Sequence, residues 1–204
     1  AALAAPLAHA GSFGGEKFVS TDPTVGAQFP EIAYYNGVIH VVFVGFPSGS
    51  PGGQAYYSRS TAATGTFSAP VSLSAGISST VDRVHVTAGP NGVVVGWDSD
   101  GTTGAIYSRR STDGGLTWQA GQLVAGAEGD GLYHRLTHLF TDSSGFVHMA
   151  YYTNADNAGV SGMVHHRMSC DAGATWPTDT AVNTQALDGE LDNEQPRIAQ
   201  AGAG

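Results

Sequence analysis

The stretch "STDGGLTW" occupies positions 111 to 118, and "SCDAGATW" occupies 169 to 176. Both read Ser-x-Asp-x-Gly-x-Thr-Trp, and their starts lie 58 positions apart (169 − 111). A worn third copy, "STAATGTF", runs from Ser60 to Phe67. It keeps Ser60, Thr66 and Phe67 but carries Ala62 where the aspartate would stand and Thr64 where the glycine would stand. A motif that recurs every 50 to 60 residues is the mark of a repeat architecture.

Two further landmarks move in step with the box. A glycine followed by an apolar run precedes each copy: "GVIHVVF" from Gly37, "GVVVGW" from Gly92 and "GFVHMAYY" from Gly145. Ahead of each run stands another apolar segment: "FPEIAYY", "VDRVHVTA", "YHRLTHLF" and, last, "QPRIAQA". Glu31, Arg83, Arg135 and Arg197 therefore share one position in the repeat. Each repeat reads as four short strands, near 81–88, 92–98, 104–110 and 118–125 in the second, with Gly or Asp/Ser clusters between them. No segment shows a convincing helical period. The pattern predicts an all-β protein, a β-propeller of four-stranded antiparallel blades near 27–76, 79–126 and 131–186, with a fourth starting at 193–204.

The box falls between the third and fourth strands, where the chain reverses. Glycine supplies the positive φ of the turn, and the aspartate can accept backbone N–H bonds across it. Thr and Trp are expected at the start of the fourth strand, the ring wedged against a neighbouring sheet. These residues, Ser111, Asp113, Gly115, Thr117 and Trp118, then Ser169, Asp171, Gly173, Thr175 and Trp176, resemble the Asp-box of the sialidase-superfamily propellers. The resemblance covers roughly residues 18 to 200. It implies that the boxes are structural fold-backs, and that about three blades plus flanking strands of a six-bladed ring are present here. "KFVSTD" at 17–22 resembles an outermost strand that would close such a ring, and the expected partner is the remaining C-terminal blades of the same protein.

Composition agrees with a turn-rich β protein and narrows the partners. Glycine contributes 29 of 204 residues, about twice the usual share of ~7%. Asp plus Glu outnumber Lys plus Arg by 17 to 8, for a net charge of −9. An acidic surface repels phosphate backbones, which argues against nucleic acid. No apolar run is long enough for a membrane span. Cys170 is the single cysteine, so it is either free or paired outside this chain. The opening "AALAAPLAHAG" resembles the end of a secretory signal, with Ala8-His9-Ala10 fitting the small-x-small cleavage pattern. Residues 1–10 are read as a signal remnant, and the protein as secreted, periplasmic or cell-surface.

In a four-stranded meander, alternate turns lie on opposite ends. The box turns take one end. Glu31, Arg83, Arg135 and Arg197 gather at the other, with the loops 46–53, 98–104 and 153–162. Guanidinium forks bind carboxylate bidentately, so converging arginines suit a carboxylated sugar. The sialidase resemblance implies an arginine triad on the sialic-acid carboxylate, an aspartate acid/base and a tyrosine nucleophile assisted by glutamate. Asp98 or Asp100, read as loop carboxylates on that end, are the candidate acid. The family's first-blade arginine is replaced here by Glu31, and no tyrosine is assignable as nucleophile. The alternative reading of the arginines is bracing, through Asp82, Asp130 or Glu194.

The leading function is a module that binds an anionic or other glycan, or a protein partner, through the arginine-bearing end. The alternative is an exo-sialidase-type glycoside hydrolase whose catalytic parts lie in further blades. No cofactor or metal is implied. "HRLTH" holds His134 and His138 on one side of a strand but about 13 Å apart, too far to share a zinc easily. "DSDG" at 98–101 lacks the later ligands of a calcium loop and reads as a solvated turn. His165 and His166 should face opposite ways, His40 and His148 read as packing residues, and Tyr56, Tyr57, Tyr151 and Tyr152 as strand aromatics. A ligand-stacking role for Tyr133 or Tyr152 has no support in the sequence.

Overall fold

A computed structural model describes residues 19, 26–50, 52–61, 65–77, 80–99, 104–126, 133–154, 163–182 and 197–199. Among the described residues all twelve elements are strands: β1 Gly26–Tyr35, β2 Val38–Phe46, β3 Gln54–Thr61, β4 Val71–Ser72, β5 Val81–Gly89, β6 Gly92–Ser99, β7 Ile106–Ser111, β8 Gln122–Ala125, β9 Tyr133–Thr141, β10 Val147–Asn154, β11 Met163–Ser169 and β12 Thr178–Ala181. They form three antiparallel meanders of four, β1 to β4, β5 to β8 and β9 to β12.

The sheets stack face to face. β6 shows why, because its apolar run is buried on both sides. Val93, Val95 and Trp97 belong to a core shared with Val42, Val44, Tyr57 and Leu73 of the first sheet. Val94 points the other way, into a core with Leu136, Leu139, Val147, Met149 and Tyr151 of the third. Period-2 alternation thus feeds two interfaces from one strand. Gly96 makes room for the third sheet: a Cβ there would come within 2.8 Å of Leu136. Around the edge, β1 packs beside β5 and β5 beside β9. The first strand of each meander therefore lines a common axis, as in a propeller.

The two boxes fold alike. Ser111 Oγ donates to Asp113 Oδ1 at 2.7 Å and accepts from Gly115 N at 2.8 Å. Ser169 Oγ does the same with Asp171 Oδ1 at 2.7 Å and Gly173 N at 2.7 Å. The Thr117 and Thr175 N–H and O–H groups donate to Asp113 and Asp171 respectively. Those bonds hold both carboxyls below the usual carboxylate range, most strongly through Thr117 at Asp113; at Asp171 burial opposes them. Gly115 and Gly173 take positive φ values of 86° and 82°. Trp118 packs edge-on against Tyr57 with ring centres 4.7 Å apart, and Trp176 packs on the core between sheets two and three.

Two sequence expectations change here. Thr117 and Trp118 precede the fourth strand, which starts at Gln122, and Trp176 precedes Thr178. The reason is that the threonine N–H is spent on the aspartate and is not free for the ladder. His134 and His138 do not share a side. β9 slips register between the partners of Ala150 and Tyr151, leaving Thr137 unpaired and breaking the even count. His134 then packs against Tyr151, and His138 meets His85.

Among the described residues no helix is long and apolar enough to cross a membrane. Residues 1–10, Ala62, Thr64, Asp100, Asp130, Glu194 and all of 17–22 except Val19 lie outside the described residues. Val19 lies in an apolar crevice of the first sheet with Ala27, Pro30, Val41 and Phe43. Cys170 is exposed.

Candidate functional site

The end of the sheets opposite the boxes carries a cleft of about 300 Å³ lined by Phe29, Pro30, Glu31, Arg83, Val84, His85 and Arg197. Three of the four residues at the shared repeat position thus meet in one hollow, although 31 and 197 lie far apart in the chain. β1 supplies Glu31, β5 supplies Arg83, and the described segment 197–199 supplies Arg197. The Ile198 N–H donates to His138 Nδ1 at 3.2 Å, which ties that segment to β9.

His85 forms part of the wall. Its Nδ1 lies 3.7 Å from Glu31 Oε1. Burial drives its pKa down to about 3, and His138, Arg197 and Arg83 push the same way. The ring is therefore neutral near pH 7, and the cations of the cleft are the two guanidinium groups. Glu31 is the facing carboxylate.

Arg135 behaves differently. Its Nη2 reaches Asp82 Oδ2 at 2.9 Å and also donates to the Tyr133 hydroxyl, whose ring lies under the guanidinium at 4.9 Å. Its Nε lies 3.9 Å from Asp98 Oδ2. For Arg135 the geometry is that of the bracing alternative, through Asp82.

Asp98 is not a loop carboxylate. It sits inside β6, paired with Arg83, and is 1% exposed. Its Oδ1 accepts the Arg83 N–H at 2.9 Å, while Oδ2 finds no hydrogen-bond partner among the described residues. Burial pushes its pKa up to about 8; Asp82 adds to the rise and Arg135 opposes it. A carboxyl shut away in this manner holds a proton near neutrality and cannot touch a sugar. The repeat position of Arg83 gave no warning of this, because burial of Asp98 depends on the third sheet closing over it.

His40, His148, His165, His166, Tyr57 and Tyr151, outside the cleft, are engaged with other side chains. His40 is buried, with Nδ1 at 2.7 Å from Tyr57 Oη. Tyr151 donates to Asp179, which also bonds His165 and Arg167. His165 and His166 face opposite ways, the first on Tyr151 and the second on His148. Sequence reasoning missed Phe29 and His85 as cleft residues. The available signal was their proximity to Glu31 and Arg83 in strands already assigned to the axis.

No family model matches the chain, and no curated protein matches it. Solved structures do match. The α-L-arabinofuranosidase of Fusarium graminearum aligns with a TM-score of 0.61 and 17% identity, over 82% of this chain and 51% of that one. The α-L-arabinanase of Penicillium chrysogenum aligns with a TM-score of 0.57 and 15% identity, over 78% and 50%. A subtype N10 neuraminidase-like protein of A/little yellow-shouldered bat/Guatemala/060/2010 aligns with a TM-score of 0.51 and 8% identity, over 82% and 47%. The chain has the β-propeller fold and spans about half the length of these three structures.

Proposed function

We propose that this protein is an exported, sialidase-like propeller that binds a carboxylated sugar in the cleft between Arg83 and Arg197. In this reading further blades of the same protein complete the ring, and the cleft serves as a glycan-binding or interaction module. The observation that carries it is the convergence of Glu31, Arg83 and Arg197 on one hollow of about 300 Å³, the lower end of the size range of small-molecule sites. Two guanidinium groups can grip one carboxylate, and Glu31 can accept from sugar hydroxyls. A cationic cleft on a chain of net charge −9 favours small anions over extended polyanions.

A second reading is hydrolysis of a glycoside at the same end, supported by the enzymes named arabinanase and arabinofuranosidase among the structural matches. It needs an acid other than Asp98, which is buried. The test is calorimetric titration of the full-length protein with sialic acid and glucuronic acid, repeated with Arg83→Ala and Arg197→Ala. Each variant should bind at least tenfold more weakly, the scale of one charge-assisted hydrogen bond pair. No binding to the parent, or equal binding to all three proteins, contradicts the reading. Turnover of aryl sialosides or arabinofuranosides would select the hydrolase.

A further inference from the structure

Phe29 departs from its surroundings in three ways. Its φ is +52°, a left-handed value that bulky residues rarely adopt. The other described non-glycines with positive φ, Asn36 and Ala172, sit in turns, whereas Phe29 lies inside β1. The strand slips its register against β2 between Gln28 and Glu31, a bulge that re-aims the side chain. Pro30 follows, and with no N–H it has no ladder bond to lose there. Finally, the ring is 51% exposed and lines the cleft beside Glu31, Arg83 and Arg197. An exposed ring held on a strained backbone contributes little to the core. Strain of this kind collects at binding sites.

We propose that Phe29 is the stacking platform of the cleft, holding the C–H face of a sugar ring whose carboxylate meets Arg83 and Arg197. This inference rests on the anionic-sugar reading above and adds its selectivity. Arginines alone grip any carboxylate. A flat aromatic wall next to them favours a closed ring with an apolar face over an open-chain acid of equal charge. Glu31, two residues along the same strand, lines the same cleft and can accept from a sugar hydroxyl. Ile32 and Tyr34 are also exposed, at 66% and 64%, but neither lines the cleft.

Glucuronic acid and gluconic acid make the comparison, one cyclic and one open-chain, each with one carboxylate. The parent should bind glucuronate about tenfold more tightly than gluconate. Phe29→Ala should abolish that preference by weakening glucuronate binding more than gluconate binding, and Phe29→Tyr should keep it. Phe29→Gly removes the ring and relieves the backbone, so it should melt no lower than the parent while losing the preference. An unchanged preference in Phe29→Ala overturns the inference alone. A melting point several degrees lower in Phe29→Gly also overturns it, because the ring would then be packing material. If the parent binds neither acid, the cleft reading fails and this inference with it.

Discussion

At one end of the sheets, Ser111 with Asp113 and Ser169 with Asp171 make the same set of hydrogen bonds to the same relative partners. At the other end, residues at one repeat position part company. Arg83 and Arg197 line an open cleft with Glu31, while Arg135 is held against Asp82 and Tyr133. The box end is a device for reversing the chain and seating a tryptophan on the preceding sheet, so each copy meets the same demand. The cleft end has no such common demand, and its residues differ in partner as well as in type. In this fold, repetition marks scaffold, and departure from repetition marks the place to look for binding.

The largest effect that could break this contrast lies at the box end. A Cβ on Gly115 would fall 1.8 Å from Tyr57 Oη, at a φ of 86°, whereas Gly114 has φ 71° and open space. Gly115→Ala should cost on the order of 3 kcal/mol, from overpacking plus backbone strain. Gly114→Ala should cost about 1 kcal/mol. Denaturant unfolding of both variants measures the difference, and equal costs would mean the box does not seat against the first sheet.

Next comes the buried acid at the cleft end. Asp98 is held protonated in the folded state up to a pKa of about 8, well above its ordinary value of 3.8, so the folded state binds the extra proton in between. Stability from this group therefore falls as pH rises towards 8. His40 and His85, depressed to about 4 and about 3, give the opposite slope but only below their unfolded value of 6.5. From pH 6.5 to 8 Asp98 dominates these three, and the parent should lose about 2 kcal/mol, on the scale of 1.36 kcal/mol per unit. Asp98→Asn should flatten that decline in a series of urea titrations. A parent whose stability rises over this window would show that Asp98 is ionised.

A smaller effect sharpens the division among the arginines. Arg135→Ala strips Asp82 of its partner, for a loss of about 1 kcal/mol after solvent screening of a partly exposed pair. Arg83→Ala should leave unfolding within about 0.5 kcal/mol of the parent while weakening sugar-acid binding. Thermal melts beside titrations separate the two roles. Matching stability losses would erase the distinction.

Much of the architecture was legible because it is written in periodic features. The Gly-led apolar runs from Gly37, Gly92 and Gly145 became β2, β6 and β10, and the landmarks ahead of them became the axial strands β1, β5 and β9. What sequence could not show are deviations from regular backbone. One bulge at Thr137 sends His134 and His138 to different surroundings, and another presents Phe29 to the cleft. Burial of Asp98 was equally hidden, since it follows from how the third sheet covers β6. Arg135 was readable as either ligand-holder or brace until Asp82, on the neighbouring axial strand, came within 2.9 Å.

The most direct test of the central claim is a crystal structure of the full-length protein grown with sialic acid. The carboxylate should lie between Arg83 and Arg197, with Glu31 facing the hydroxyls. Sugar bound at the box end, or clear density for the protein with the cleft occupied only by solvent at saturating ligand, would contradict it.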